Sequence, residues 1–157
     1  MGNDYFVSSS TVVPVTPDVA FQGLLDAPLE RLFPHRSGPL PSIARCEGQV
    51  GAWSEVGQTR NVVLSDGTGN LETLVGLSRP SDYRYRITGI EGPFKLLVSS
   101  IDGRFTFEPE GDGTRATWSW TLHGRNVGAR LAYPALGFFW RRWAARMWPN
   151  FAGLVTT

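Results

Sequence analysis

Arginine 60 and glutamate 72 are the pair in this chain best spaced to do chemistry. They flank a turn centred near Asp66-Gly67, in two runs that alternate as strands do. Any hairpin register with an even pairing sum puts Arg60, Val62 and Leu64 on the same face as Asn70, Glu72 and Leu74. Arg60 and Glu72 are then directly opposed or diagonal neighbours. Facing an interior, such a pair is a polar anchor for a ligand carboxyl or carbonyl, or a perturbed acid. Facing water, it contributes about 0–1 kcal/mol and nothing more. Tyr85 is the third candidate polar group, provided that it points inward.

The other reactive residue types exclude more than they suggest. His35 and His123 have no carboxylate or cysteine at ligand spacing, so no metal site is expected. His123 ends a strand-like run and reads as a solvated or core-satisfying residue, with contact to a ligand as the alternative. Cys46 is the sole cysteine, which rules out a disulfide framework and fits a reduced, cytoplasmic setting. Serines 8–10 lie in a strand-like run, and no G-x-S-x-G elbow exists. Asp66-Gly67-Thr68-Gly69 lacks the lysine and the following helix of a phosphate loop. No cofactor is expected.

Elements that could position these groups are visible in the pattern. Tyr5–Val15 is rich in β-branched and aromatic residues and reads as a strand. Thr16-Pro17-Asp18 is a helix start, with Thr16 as N-cap and Pro17 in the first position. A second short helix is expected over Leu29–Phe33, stopped by Pro34, and His35–Pro41 is a loop. Six candidate strands follow: Ile43–Val50, Thr59–Leu64, Asn70–Leu77, Tyr83–Ile90, Leu96–Phe107 and Thr114–His123. Their tight Gly/Asp/Pro connectors make an antiparallel meander, because parallel pairs need long crossovers. In the last strand Ala116, Trp118, Trp120 and Leu122 alternate with polar residues, so one sheet face is apolar and needs a cover.

The run Val127–Leu154 supplies that cover. Ala132, Leu136, Phe139, Trp140, Trp143, Met147, Phe151 and Leu154 share one helical face, with Arg130, Arg141, Arg142 and Arg146 opposite. Pro134 either sits within the first turns or marks the true start of the helix, and Pro149 is expected to kink or end its regular part. Trp118, Trp120, Trp140 and Trp143 then either wall a cavity for a flat apolar ligand or fill the interior themselves.

Length and charge set the outer bounds. The 157 residues suit a single domain, 1–157. The net charge is +1, with six arginines and no acid after Asp112. Those arginines are few and separated by bulky apolar residues, which argues against nucleic-acid binding. Four of them on the helix oppose a transmembrane span, so membrane contact is transient at most. No signal-peptide or myristoylation pattern opens the chain. A homodimer is left open.

The order of elements and two local runs resemble the START-like helix-grip superfamily, in its polyketide cyclase/dehydrase-like (SRPBCC) group. The first run is GQVGAWSEVGQTRNVVLSDGTGNLETL, with its G-x-T-R, D-G turn and strand opening on Glu72. The second is Asp112-Gly113-Thr114-Arg115 with Trp118. The resemblance implies an α+β fold: a curved antiparallel sheet of about seven strands wrapped around a long C-terminal helix, with two short helices after the first strand. It implies an elongated cavity for apolar molecules, with loops 65–69 and 91–94 at the mouth. The expected ligand-binding residues are Arg60, Glu72, Tyr85, Trp118, Trp120, Phe139, Trp143 and Met147. The first functional reading is binding of a small hydrophobic molecule (lipid, polyketide or sterol-like). The others are a metal-free polyketide cyclase or dehydratase in the same cavity, and an interaction module using the basic helix face.

Overall fold

The computed structural model describes residues 3–157. Strand β1 (Asp4–Val13) leads into helices α1 (Pro17–Asp26) and α2 (Leu29–Leu32). Strands β2 (Ile43–Glu47), β3 (Thr59–Leu64), β4 (Gly69–Ser78) and β5 (Asp82–Thr88) follow, then a 3-10 turn at Pro93–Leu96. Strands β6 (Val98–Glu110) and β7 (Gly113–Gly124), a second 3-10 turn (Val127–Leu131) and helix α3 (Tyr133–Val155) complete the chain. The strands form one seven-stranded sheet in the order β1-β7-β6-β5-β4-β3-β2, antiparallel at every pairing. Helices cover its concave face, as an amphipathic sheet requires.

Local chemistry explains most of the boundaries. Thr16 caps α1 by accepting from the Val19 amide at 3.3 Å, and Pro17 occupies the first turn. Register shifts at Ile43/Arg45, Leu74/Gly76 and Val98/Ser100 are bulges, which bend strands and promote the curl of the sheet. Alternation on β7 is regular: Thr114, Ala116, Trp118, Trp120 and Leu122 are buried, and the residues between them are not.

Three expectations need correction. The second strand stops at Glu47 rather than Val50, and residues 48–58 form an irregular excursion that contains Gly48, Gly51 and Gly57 at positive φ. The segment 127–131 is a 3-10 turn rather than part of the long helix, because the Asn126 side chain captures the Ala129 amide at 3.1 Å. Helix α3 runs through Pro149 to Val155 instead of ending there. Pro149 and Ala145, whose carbonyl loses its donor, are both exposed, so water can satisfy that carbonyl.

The interior is aromatic. Trp118 packs on Trp140 with ring centroids 4.5 Å apart and stacks on Phe105 at 5.6 Å. Phe33 lies 4.5 Å from Trp143 and 5.3 Å from Trp118, tying α2 to the sheet and to α3. The link from α3 to the 35–41 loop is polar. Trp143 Nε1 donates to the His35 carbonyl at 3.0 Å, and Ser37 Oγ donates to the Phe139 carbonyl at 2.7 Å. Trp148, absent from the apolar stripe expected for the helix, is buried, and its Nε1 donates to Ser9 Oγ of β1 at 2.9 Å.

Candidate functional site

The space between sheet and helices holds a cavity of about 570 Å³. That falls within the usual range for small-molecule sites, about 300–1,000 Å³. Strand register sets the wall residues in rows, in which all but Leu74, Gly103 and Leu122 line the cavity. One row runs Arg60, Glu72, Ile87, Ile101 and Leu122 across β3 to β7. The next runs Leu74, Tyr85, Gly103 and Trp120 across β4 to β7. A third brings Tyr83 beside Phe105 and Trp118. Helices contribute Leu29, Leu32, Ala135, Leu136 and Trp143.

Arg60 and Glu72 are direct partners in the β3–β4 register, and both line the cavity. Arg60 Nε donates to Glu72 Oε2 at 2.6 Å, and each side chain is 6% exposed. Two residues of the irregular 48–58 segment complete the setting. Arg60 Nη1 donates to Gln49 Oε1 at 3.2 Å, and the guanidinium lies 4.1 Å over the Trp53 ring. Burial works against the Arg60 charge, but the adjacent Glu72 carboxylate prevails and holds its pKa above the ordinary value.

Two tyrosines stand beside the pair. Tyr83 accepts from Trp53 Nε1 at 2.9 Å. Tyr85 accepts from both Trp118 Nε1 and Trp120 Nε1, each at 2.9 Å. Gly103 makes this reach feasible: a Cβ there would coincide with the Tyr85 ring, which lies across β6 in the space a side chain would take. Burial first, and then the Glu72 charge, push both phenol pKa values above normal, so both keep their protons at physiological pH.

Residues of both loops, 65–69 and 91–94, contribute to the lining. Asp66, Thr68, Gly69, Glu91, Pro93 and Phe94 all line the cavity. Asp66 Oδ1 accepts from the Thr68 amide at 2.9 Å and its hydroxyl at 2.6 Å, and these bonds hold the carboxyl pKa below its ordinary value. The Glu91 amide donates to the Gly69 carbonyl at 3.0 Å, which binds the two loops side by side.

Of the eight residues expected at the site, six line the cavity: Arg60, Glu72, Tyr85, Trp118, Trp120 and Trp143. Phe139 and Met147 do not. Phe139 turns toward the 35–41 loop, where a Cβ on Gly38 (φ +55°) would strike its ring. Met147 lies one turn beyond Trp143, fully buried in the packed part of the core. Trp140 is also packed away from the cavity, although its helical face made it a wall candidate. Gln49 and Trp53 were missed, Gln49 because it falls within the strand expected over Ile43–Val50 and Trp53 because an irregular loop has no periodicity to assign a side chain. The one available hint was a tryptophan in a glycine-rich stretch.

Other reactive groups lie elsewhere. His123 faces outward on β7, where Nε2 meets Asp102 Oδ2 at 2.7 Å and Nδ1 meets Asp4 Oδ1 at 3.1 Å. The half-buried Cys46 thiol is pushed up to about 11, chiefly by burial, and stays protonated. Among the described residues no cluster of three or more His, Cys, Asp or Glu side chains could hold a metal ion. Among them, too, no helix is long and apolar enough to cross a membrane.

A curved antiparallel sheet gripping a long C-terminal helix around a cavity defines the helix-grip class of α+β proteins. Residues 6–155 match the family described as polyketide cyclase / dehydrase and lipid transport, and the chain belongs to that family. A comparison with curated proteins gave no match. Solved structures of the same fold include truncated norcoclaurine synthase from Thalictrum flavum, with a TM-score of 0.70 and 15% identity over 98% of this chain and 94% of that one. Major latex-like protein 151 from Panax ginseng gives 0.67 at 16% identity over 99% of both chains. Ara h 8.0201 gives 0.61 at 17% identity over 97% of both. At such identities the likeness concerns the fold.

Proposed function

We propose that this protein binds a small, largely apolar molecule carrying at least one polar oxygen. The observation that supports this is the cavity of about 570 Å³, walled by aromatic and aliphatic side chains around a buried Arg60–Glu72 pair. Apolar walls supply affinity, and a few fixed polar groups supply orientation. A lipid, a polyketide or a sterol-like compound has that composition, and the family description points the same way. The cytoplasm is the proposed setting, in keeping with the single thiol.

A second reading, a cyclase or dehydratase acting on a reactive chain, is favoured by one feature. Tyr83, Tyr85, Glu72 and Arg60 converge on one wall, and holding a chain against such groups is itself a large part of catalysis. Gentle purification followed by native mass spectrometry, then titration with lipids and polycyclic compounds followed by tryptophan emission, tests the first reading. Saturable binding is expected. If no compound in the panel binds, both readings fall, and the exposed arginines of α3 become the surface to examine. Turnover of a bound poly-keto chain would instead favour the second.

A further inference from the structure

Tyr85 is held in an unusual hydrogen-bonding state. An indole N–H can only donate, so the contacts from Trp118 and Trp120 both use the phenol oxygen as acceptor. A phenol oxygen has two lone pairs, and these two indoles take both. The Tyr85 proton remains, and among the described residues the hydroxyl makes no other hydrogen bond. Tyr85 is buried and lines the cavity. Its neighbour Tyr83 differs, because one indole bond leaves that oxygen a free lone pair as well as its proton.

We infer that Tyr85 is the specificity-determining donor of the cavity, and that it selects ligands presenting an acceptor oxygen, such as a carbonyl, at that point of the wall. This rests on the proposed ligand-binding reading. A buried donor left unpaired costs free energy, so a ligand that pairs it is favoured over an isostere that cannot. A ligand N–H placed at that point meets a second donor and gains nothing from Tyr85. Asn70 is no substitute partner for such a ligand, since its Oδ1 is enclosed by protein. Glu72 Oε2 is taken by Arg60, so Glu72 Oε1 and the Tyr83 oxygen are the acceptors left for a ligand N–H, at other points of the wall.

Three nearly isosteric tricyclic probes separate these outcomes on the full-length protein. Fluorenone carries an acceptor oxygen, fluorene carries neither donor nor acceptor, and carbazole carries only a donor. Fluorenone is expected to bind about five- to tenfold more tightly than fluorene, the worth of one neutral hydrogen bond, and any carbazole binding is expected to be no weaker in Tyr85→Phe. The infrared carbonyl band of bound fluorenone is expected below its position in a hydrocarbon solvent. Tyr85→Phe should return the band toward that position and abolish the preference while fluorene still binds, whereas Tyr83→Phe should keep both. Because Tyr85→Phe strands two indole N–H groups and threatens folding, the wild-type spectrum stands as an independent arm. An unshifted band, equal affinity for fluorenone and fluorene, a carbazole affinity that falls in Tyr85→Phe, or a shift that survives Tyr85→Phe would overturn the inference and leave the cavity reading standing. Binding of none of the three would overturn the inference, and the cavity reading falls with it only when the lipid panel also fails to bind.

Discussion

Arg60 and Glu72 face each other across β3 and β4 with Nε and Oε2 2.6 Å apart, in a wall that is otherwise largely apolar. Two charges taken out of water are tolerable only together. Glu72→Ala should therefore destabilise the protein by about 3–5 kcal/mol, because Arg60 is left buried and uncompensated. Replacing both residues with Met and Leu should restore most of that loss. Urea unfolding of the two variants measures the difference; equal losses would mean that the pair is not coupled.

Trp143 joins the helix to three surroundings at once: Phe33, Trp118 and the His35 carbonyl. Trp143→Ala should cost about 3–5 kcal/mol, the usual range for truncating a buried large aromatic. An unchanged urea midpoint would place this ring outside the structural core.

Gly103 should tolerate no side chain. Gly103→Ala drives a methyl into the Tyr85 ring and should lower stability by about 1–3 kcal/mol as an overpacked site. The displaced phenol should also release the Trp118 and Trp120 indoles, visible as new chemical shifts for both N–H groups.

Pro149 interrupts the α3 ladder on an exposed face. Pro149→Ala should stabilise the protein by about 1–3 kcal/mol, since a helix-interior proline forfeits a hydrogen bond and crowds the preceding turn. A fall in melting temperature would show that the proline shapes the helix usefully.

His123 ties β1 to β6 through Asp4 and Asp102, and this clasp should respond to pH. Its pKa is raised above 6.5, first by the Asp102 hydrogen bond, against the opposing pull of partial burial, and with Asp4 adding to it. The clasp's contribution is thus full below pH 6.5 and is lost as pH rises through the raised value. Asp102 is shifted the other way: burial opposes its charge, but Arg86 and His123 lower its pKa below 3.8. Its contribution is lost as pH falls through that lowered value. The melting-temperature gap between wild type and His123→Gln should accordingly be widest in the mildly acidic range and close on the alkaline side. A gap independent of pH would exclude a charged clasp.

Much was legible in the residues alone, because alternation and turn chemistry are local. The Trp118, Trp120 and Leu122 face of β7, the Thr16-Pro17 helix start and the parity that put Arg60 with Glu72 all depend on neighbours within a hairpin or a turn. Such signals survive in a one-dimensional pattern. What periodicity reports, however, is which side of an element is buried, not what the buried side meets. Trp140 and Trp143 share a helical face, yet only Trp143 reaches the cavity; Phe139 and Met147 share it too, and neither does. That sorting depends on how far the sheet curls and where α3 crosses it, which no single element encodes. The same holds for Trp53 and Gln49, whose roles arise when an irregular segment folds back over Arg60. The lone pairs of Tyr85 were decided in the same way, by three strands meeting over a glycine. Local sequence determined the faces of this protein, and long-range packing alone decided where they leave a space and which polar groups look into it.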